Sequence, residues 1–375
     1  MTVAYLDPHS GETFPIEQPR WCGTDHAPLL LTPLPGIRRD GIDTRTRSLW
    51  RYRAALPLPV VQPITMGEGC TPLIQRHLHG SPVWLKCEWF MPTGSFKDRG
   101  SSVMLSLLRQ QGIEAVLEDS SGNGGASVSA YAAAGGMRAT IMAPESTSPA
   151  KTVQMRAHGA TVELIPGNRQ ATSDAAIAAS NRVFYASHNW QPFFLHGTKT
   201  LAYELWEDLA FRAPDNVIVP CGAGSNVLGC EIGFGELLRA GEIDTLPRIF
   251  AAQPANCGPI AAAFMAGKPV DTPVLPTIAE GTAIAAPIRM TEVLGALRET
   301  GGGAVMLSEA EIAEAVLNLA GTGVYVEPTS AQVAAAFGKL LESGAITPEQ
   351  TTVLVLTGTG LKATPRIADM LGIPL

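Results

Sequence analysis

Short apolar runs alternate with longer alanine-rich stretches from about residue 49 to the end of this chain. The apolar runs have the length of buried strands, and the alanine-rich stretches have the length of helices. We predict strands at residues 114–117, 139–142, 161–165, 216–220, 248–252 and 352–356. We predict helices at residues 127–134, 148–157, 172–181, 198–209 and 310–319. This alternation is typical of βα units in an α/β fold, with a mostly parallel sheet whose strands are buried on both faces.

The size and charge of the chain limit its organisation and its partners. A chain of 375 residues, of which 46% are hydrophobic and 16% charged, suits two lobes with a large interior. The low charge content also favours contact between subunits, so we expect a homo-oligomer, in the simplest case a homodimer. The net charge is −7 and no basic run occurs, which argues against nucleic acid or an anionic membrane as a partner.

Cysteine usage and the N-terminus indicate the compartment. The six cysteines include no C-x-x-C pair and no metal-ligand spacing with the seven histidines, so we expect reduced thiols and no metal site. The N-terminus has neither a basic start nor an apolar signal core, and no stretch of eighteen apolar residues occurs. We therefore predict a cytoplasmic protein. Residues 1–47, rich in proline and charge, are expected to form an extended arm or a small β-unit.

A lysine stands at a predicted turn-to-helix junction in the segment 92–100, Pro-Thr-Gly-Ser-Phe-Lys-Asp-Arg-Gly. Ser95 is expected to cap the helix that carries the apolar run 103–108, which puts Lys97 in the first turn. The positive end of the helix dipole disfavours an ammonium there, so a neutral amine that can form a Schiff base is easier to reach. Considered alone, a lysine in a first helical turn is more often an ordinary surface lysine.

Two glycine-rich segments each lie between a predicted strand and a predicted helix. In the segment 120–127, Ser-Ser-Gly-Asn-Gly-Gly-Ala-Ser, the backbone can approach a carboxylate closely and the Asn123 amide can donate to an oxygen. In the segment 219–229 the spaced glycines predict a nest of N–H groups that holds a phosphate without a cationic side chain. The alternative for the first segment is a loop that merely caps a helix.

The last predicted strand ends in a hydroxyl at Thr357. Ligands of α/β proteins bind at the carboxyl ends of parallel strands, and a neutral hydroxyl that faces a pyridine nitrogen would leave that nitrogen unprotonated. Thr357 could also be an ordinary residue at a strand end.

Together, these four features are what pyridoxal phosphate requires of a protein, and their motifs resemble the fold-type II pyridoxal-phosphate enzymes of the tryptophan synthase β-like superfamily. Among these the chain is most similar to the threonine synthases. The matching segments are residues 49–52, 67–73, 92–100, 324–331 and 357–362. The resemblance implies pyridoxal 5′-phosphate as the cofactor and an amino acid as the small-molecule substrate.

The resemblance also implies a two-lobed α/β fold in which each lobe is a mostly parallel sheet flanked by helices. Residues 1–47 would be the arm. Residues 48–85 and 205–375 would form a large domain that binds the cofactor phosphate. Residues 86–204 would form a smaller, mobile domain with the Schiff-base lysine and the substrate-carboxylate loop.

By the same resemblance, Lys97 would form the Schiff base and then transfer the α-proton of the substrate. Asn123 would bond to the 3′-oxygen of the cofactor, and Thr357 would face its pyridine nitrogen. The phosphate would be held by Gly222, Ala223, Gly224, Ser225 and Asn226. The substrate carboxylate would be held by Ser121, Gly122, Gly124 and Gly125.

The implied activity is that of a lyase that expels a β- or γ-leaving group, as in the conversion of O-phosphohomoserine to threonine and phosphate. An ammonia-lyase of the threonine/serine dehydratase kind, acting on a non-phosphorylated hydroxy- or diamino acid, is the alternative. Threonine synthases usually have threonine where this chain has Gly124 and arginine where it has Phe194, and both lost groups would help to bind a substrate phosphate. The segment 277–283 is closer to the dehydratases, and only Cys22 remains where many threonine synthases have a zinc ribbon.

Overall fold

The structure is a computed structural model that describes residues 3–147, 149–272 and 274–374. These ranges contain thirteen strands and twelve α-helices. The strands are β1 (Ala4–Leu6), β2 (Thr13–Pro15), β3 (Leu30–Leu31), β4 (Leu73–Leu78), β5 (Ser81–Cys87), β6 (Ala115–Glu118), β7 (Arg138–Pro144), β8 (Thr161–Ile165), β9 (Phe184–Tyr185), β10 (Asn216–Pro220), β11 (Arg248–Pro254), β12 (Gly303–Leu307) and β13 (Thr352–Leu356). The helices are α1 (Lys97–Gln110), α2 (Asn123–Ala134), α3 (Pro149–Ala157), α4 (Arg169–Ala179), α5 (Pro192–Thr198), α6 (Thr200–Asp208), α7 (Ser225–Arg239), α8 (Pro259–Ala266), α9 (Met290–Glu299), α10 (Glu309–Gly321), α11 (Pro328–Glu342) and α12 (Thr364–Leu371).

Most of the predicted elements are present. Strands β8, β10 and β13 have the predicted bounds, and the other predicted strands differ only at their ends. The helix predicted over residues 198–209 corresponds to α6, and a further helix that was not predicted, α5, precedes it. The start predicted for another helix, Ser148, lies outside the described residues.

The first of two compact units consists of Met1–Gly69 and Lys97–Thr200. Its main sheet has the order β8-β7-β6-β9, and all of its strands are parallel. Residues of α1 and α2 form much of its core, including the fully buried Val103, Leu107, Val128 and Tyr131. Helix α2 packs on β6 and β7, and α1 packs on α2 and α5, because their apolar side chains are buried along these contacts.

The prediction that each strand is buried on both faces is wrong for β8. Strand β8 is the edge of its sheet, and Thr161, Glu163 and Leu164 are exposed. An edge strand has a neighbour on one side only, so polar side chains remain in contact with solvent there.

The N-terminal segment is a small β-unit that belongs to the core of the first unit. Strands β1, β2 and β3 form an antiparallel sheet in the order β2-β1-β3. The Tyr5 ring of β1 lies 5.5 Å from the ring of Phe193, centroid to centroid, and Phe14 and Ile16 are buried in the same apolar cluster. These contacts tie the segment to the helices that follow it in the first unit.

The second unit consists of Cys70–Phe96 and Leu201–Leu375. Its six-stranded sheet has the order β12-β11-β10-β13-β5-β4, parallel except for β4, which pairs antiparallel with β5. Strand β13 lies in the interior of this sheet and is buried along its whole length. Helix α11 packs on the sheet through buried residues such as Val333 and Phe337.

The bounds of the two units differ from those expected from the sequence. Residues 48–69 fall in the first unit because the Trp50 indole donates hydrogen bonds to Glu68 Oε1 (2.9 Å) and to Ser102 Oγ of α1 (3.0 Å). Residues 86–96 fall in the second unit because they continue from β5, which pairs with β13. Within the described ranges, no helix is both long enough and apolar enough to cross a bilayer.

Candidate functional site

Lys97 is the first residue of α1, as the sequence predicted. The predicted capping role of Ser95 is wrong, because the cap directly precedes the first helical residue and Ser95 lies two positions before Lys97. The backbone of Ser95 instead pairs with Gly358, and its buried hydroxyl bonds to no described residue. A buried hydroxyl two residues before Lys97 is thus available to a ligand.

Phe194 shapes the surroundings of Lys97 in the first unit. The Lys97 Nζ lies 5.5 Å from the centroid of the Phe194 ring, within the range of a cation–π contact. Phe194 lies in α5 and is fully buried. A second neighbour of the same ring is His188, whose centroid lies 5.6 Å away. Lys97 and His188 thus both contact Phe194.

Part of the glycine-rich segment after β6 is helical, although the sequence predicted a loop there. Helix α2 begins at Asn123, with Gly122 as its cap residue, so Gly124 and Gly125 lie in its first turn. The N–H groups of a first helical turn have no acceptor within the helix and can bind an anion. Gly125 must be glycine, because a Cβ there would lie 2.1 Å from the Ser120 carbonyl oxygen.

Gly124 and His188 fit each other. A Cβ at Gly124 would come within 2.7 Å of His188 Nδ1 and 2.8 Å of its Cε1. Any larger residue at position 124 would therefore displace the imidazole. A threonine at position 124 would occupy the space that the His188 ring fills, so the glycine and the histidine depend on each other.

Glu118, at the end of β6, holds His188 in place. Both carboxylate oxygens lie 3.1 Å from His188 Nδ1, and Oε2 also accepts the backbone N–H of His188 at 3.0 Å. Burial, together with the charge of Lys97, lowers the pKa of His188 well below its usual value. Burial raises the pKa of Glu118, although hydrogen bonds and nearby cations oppose the rise. The imidazole is thus neutral at physiological pH.

The second unit carries the segment that the sequence predicts to hold a phosphate. The segment after β10 turns through Gly224, whose φ of +95° is left-handed, into α7 at Ser225. A Cβ at Gly224 would lie 2.2 Å from Val293, and one at Gly222 would lie 3.1 Å from the Gly281 carbonyl oxygen. Asn226 Oδ1 is buried and bonds to no described residue. Glycine is therefore required at Gly224 for the turn to form, and the N–H groups at the start of α7 have no acceptor within the helix and can bind an anion.

Thr357 directly follows β13, and its hydroxyl has a partner. Ser330 Oγ lies 3.0 Å from Thr357 Oγ1 and also accepts the N–H of Gly358 at 2.7 Å. The N–H of Phe96 donates to the Thr357 carbonyl oxygen at 2.9 Å. These bonds fix the hydroxyl at the carboxyl end of an interior strand, where the sequence predicted it.

The predicted residues fall into two groups. Lys97, Asn123 and the carboxylate segment lie in the first unit, and the phosphate nest and Thr357 lie in the second. Sequence reasoning missed Glu118, His188 and Ser330. An acidic residue at the end of an apolar strand was a signal that could have singled out Glu118, whereas nothing in the spacing of His188 distinguishes it.

Comparison with known sequences identifies relatives over most of the chain. The profile of the family described as "Pyridoxal-phosphate dependent enzyme" matches residues 64–358. Threonine synthase of Methanosarcina acetivorans is 32% identical over 344 residues, which cover 89% of this chain and 85% of that protein. Threonine synthase of Methanocaldococcus jannaschii is 34% identical over 339 residues, which cover 87% of this chain and 83% of that protein.

Solved structures share the fold. An L-serine ammonia-lyase from Rhizomucor miehei has a TM-score of 0.71 at 22% identity and covers 83% of this chain and 99% of its own. The processed form of threonine deaminase isoform 2 from Solanum lycopersicum has a TM-score of 0.70 at 21% identity and covers 91% of each chain. The predicted two-lobed α/β fold, the predicted cofactor and the resemblance to threonine synthases are thereby confirmed.

Proposed function

Because this chain belongs to the pyridoxal-phosphate-dependent enzymes, we propose that it is a lyase that expels a leaving group from the side chain of an amino acid. The observation that carries the proposal is the position of Lys97 at the start of α1, in the same unit as a strand–helix junction that is built to bind an anion. An amine there can bond to the cofactor, and an amino acid can be held by its carboxylate at the junction.

The residues of each unit fit parts of pyridoxal phosphate. In the second unit, the turn at Gly222–Asn226 leads into the start of α7, whose backbone N–H groups can donate to a phosphate. We assign the phosphate to Gly222, Ala223, Gly224, Ser225 and Asn226, and the pyridine nitrogen to Thr357. When bound, the cofactor supplies an electron sink for the bond that is broken at Cα.

In the first unit, we assign the covalent bond to the cofactor and the later transfer of the α-proton to Lys97. Asn123 donates to the 3′-oxygen. The substrate carboxylate is assigned to Ser121, Gly122, Gly124 and Gly125, because N–H groups at a helix start attract an anion and orient it.

The first candidate reaction is the conversion of O-phosphohomoserine to threonine and phosphate. It is supported by the threonine synthases that align with most of the chain at 32% and 34% identity. This reaction needs a group that binds the substrate phosphate and a water molecule that adds to the substrate.

The second candidate reaction is release of ammonia and an α-keto acid from a hydroxy- or diamino acid. It is favoured by one observation, the apolar ring of Phe194 next to Lys97 and the neutral ring of His188 next to Phe194. Neither ring offers the bidentate cation that a phosphate dianion prefers.

Product analysis with the purified holoenzyme tests the proposal and separates the two candidates. Phosphate release from O-phosphohomoserine supports the first, and α-keto acid and ammonia from threonine, serine or a diamino acid support the second. Lys97→Ala should remove the visible Schiff-base absorbance, whereas Lys268→Ala, at an exposed position, should retain it. A Lys97→Ala protein that still binds the cofactor covalently would refute the assignment.

We further propose that the protein acts as a cytoplasmic homodimer. The low charged fraction of 16% supports burial of part of its surface between two copies. A molar mass by light scattering equal to that of one chain would refute the dimer.

A further inference from the structure

His188 lies against the segment that we assign to the substrate carboxylate. Its Nδ1 and Cε1 fill the space beside Gly124, and its ring contacts Phe194, which in turn contacts Lys97. All of these residues belong to the first unit. An amino acid bound at this segment would therefore meet the imidazole next to its own carboxylate.

The hydrogen bonds of His188 determine which ring nitrogen faces a ligand. The Glu118 oxygens already accept the backbone N–H groups of His188 and Asp119, each at 3.0 Å, so the carboxyl group acts as an acceptor there. An ionised Glu118 can only accept, so we assign to Nδ1 the hydrogen that points to Glu118 and to Nε2 the free lone pair. Nε2 bonds to no residue in the described ranges, and the side chain remains 9% exposed.

We propose that His188 Nε2 accepts a hydrogen bond from an O–H group that lies beside the carboxylate of the bound amino acid. This inference rests on the proposed function. The O–H group has two possible sources: the water that adds to the substrate carbon when the substrate is O-phosphohomoserine, or the hydroxyl of the substrate itself when it is a hydroxy amino acid. His188 thus selects a ligand by the donor that it offers.

Glu118 is the positioning residue of this pair. It lies behind the imidazole and acts on the substrate only through it, by fixing the ring and the nitrogen that carries the hydrogen. A glutamine at position 118 has the same shape as Glu118, but its amide can donate a hydrogen bond to Nδ1. The ring hydrogen then moves to Nε2, and Nε2 changes from an acceptor into a donor. Removal of the orienting carboxylate in a histidine-based active site has a large effect of this kind.

The experiment compares His188→Phe, His188→Gln and Glu118→Gln holoenzymes with the wild type. His158→Gln is the matched control, because His158 is an exposed histidine of the same unit. Each protein is assayed for kcat and KM with O-phosphohomoserine, threonine and serine, and each amino acid is titrated against the visible absorbance of the bound cofactor. Urea unfolding and the absorbance before titration show whether fold and cofactor are intact.

His188→Phe should lower kcat/KM for the substrate of the enzyme by about tenfold or more, the scale of one lost hydrogen bond that leaves its partner unsatisfied. His188→Gln, which keeps an acceptor oxygen, should recover part of the loss. Glu118→Gln should resemble His188→Phe, and the two changes together should not add, since they remove one interaction. If the O–H group belongs to water, His188→Phe should lower kcat for O-phosphohomoserine and leave KM unchanged. If it is the hydroxyl of the substrate, His188→Phe should raise KM for threonine or serine.

Two results are decisive against the inference. The first is a His188→Phe enzyme whose kcat/KM lies within about threefold of the wild type, less than the loss of one hydrogen bond. The second is a Glu118→Gln loss that adds to that of His188→Phe. If the wild type converts none of these amino acids, the proposed function fails, and the titration still decides on His188: the inference then requires at least about tenfold weaker binding of a hydroxy amino acid by His188→Phe.

Discussion

The Phe194 ring lies so close to Gly100 that a Cβ at position 100 would come within 2.4 Å of two ring carbons and 2.5 Å of a third. Gly100 is in α1 and Phe194 is in α5, and both are buried in the first unit. The glycine gives the ring room against the first turn of α1. The same turn begins with Lys97, so this contact holds the lysine-bearing turn in position.

Gly100→Ala should destabilise the protein. Alanine is the better helix former by about 1 kcal/mol, but here its methyl group must push the ring aside, and such overpacking costs about 1–3 kcal/mol. We expect a net loss of about 1 kcal/mol in the free energy of unfolding by urea, relieved when Phe194→Leu is added.

Gly295→Ala is the matched control. Gly295 lies in α9, and a Cβ there would meet nothing within 4 Å, so alanine should stabilise by about 0.5–1 kcal/mol. If Gly100→Ala stabilises as much as Gly295→Ala, the ring moves freely and the contact does not hold α1.

Lys86 forms a buried ion pair in the second unit. Its Nζ lies 2.6 Å from Glu204 Oε1 and 2.7 Å from Asp208 Oδ2, and the side chains of Lys86 and Glu204 are 0% and 3% exposed. Lys86→Met should cost about 3–5 kcal/mol in the free energy of unfolding, because a buried carboxylate loses its counter-ion.

The exposed pair of Lys339 and Glu311 provides the comparison. Their atoms lie 2.8 Å apart, but the two side chains are 39% and 37% exposed. Lys339→Met should cost no more than about 1 kcal/mol. Equal losses for the two variants would mean that burial does not govern the strength of the Lys86 pair.

The sequence predicts the regular parts of this molecule well, because they depend on local patterns. Strand β13 and the turn before α7 follow from an apolar run and from glycine spacing, and Lys97 follows from a break between a strand and a helix. The prediction that both faces of every strand are buried is wrong for β8, because local sequence does not show whether a strand lies at the edge of a sheet.

The pair of Glu118 and His188 could not be predicted in this way. The two residues are 70 positions apart, and only the parallel pairing of β6 with β9 brings their segments together. The structural role of Gly124 could not be predicted either. From the sequence it is a lost threonine, and in the structure it is the space that His188 occupies.

Gly224→Ala should weaken cofactor binding. A methyl group at this position combines a φ of +95° with a Cβ 2.2 Å from Val293, so the turn must open. Loss of one well-placed contact to a charged group corresponds to at least about tenfold in the dissociation constant. Titration of the apoenzyme with pyridoxal phosphate, followed by absorbance, measures the change.

Gly241→Ala separates backbone strain from the clash. Gly241 has a φ of +74°, but a Cβ there would meet nothing within 4 Å. Its cost should therefore appear in stability, at about 1–2 kcal/mol, with little effect on the cofactor. An unchanged dissociation constant in Gly224→Ala would show that this turn does not hold the phosphate.

Acid should destabilise the protein through His196. Burial, together with the charge of Lys199, lowers the pKa of His196 well below its usual value of 6.5, and Nδ1 has no partner among the described residues. Below pH 6.5 the imidazole of His196 therefore binds a proton in the unfolded chain but not in the folded protein, so the free energy of unfolding falls as the pH drops. Between about pH 7.5 and pH 5.5 this histidine should account for about 1.4 kcal/mol of the loss.

His196→Leu should lose about that much less stability than the wild type over the same pH interval, measured by urea unfolding at both pH values. Other titrating groups, such as Glu231, whose pKa burial raises to about 7, contribute equally to both proteins and cancel in the difference. His158→Leu, at an exposed position, should leave the pH dependence unchanged. If His196→Leu and the wild type lose the same stability, then His196 takes up its proton in the folded protein as readily as in the unfolded chain.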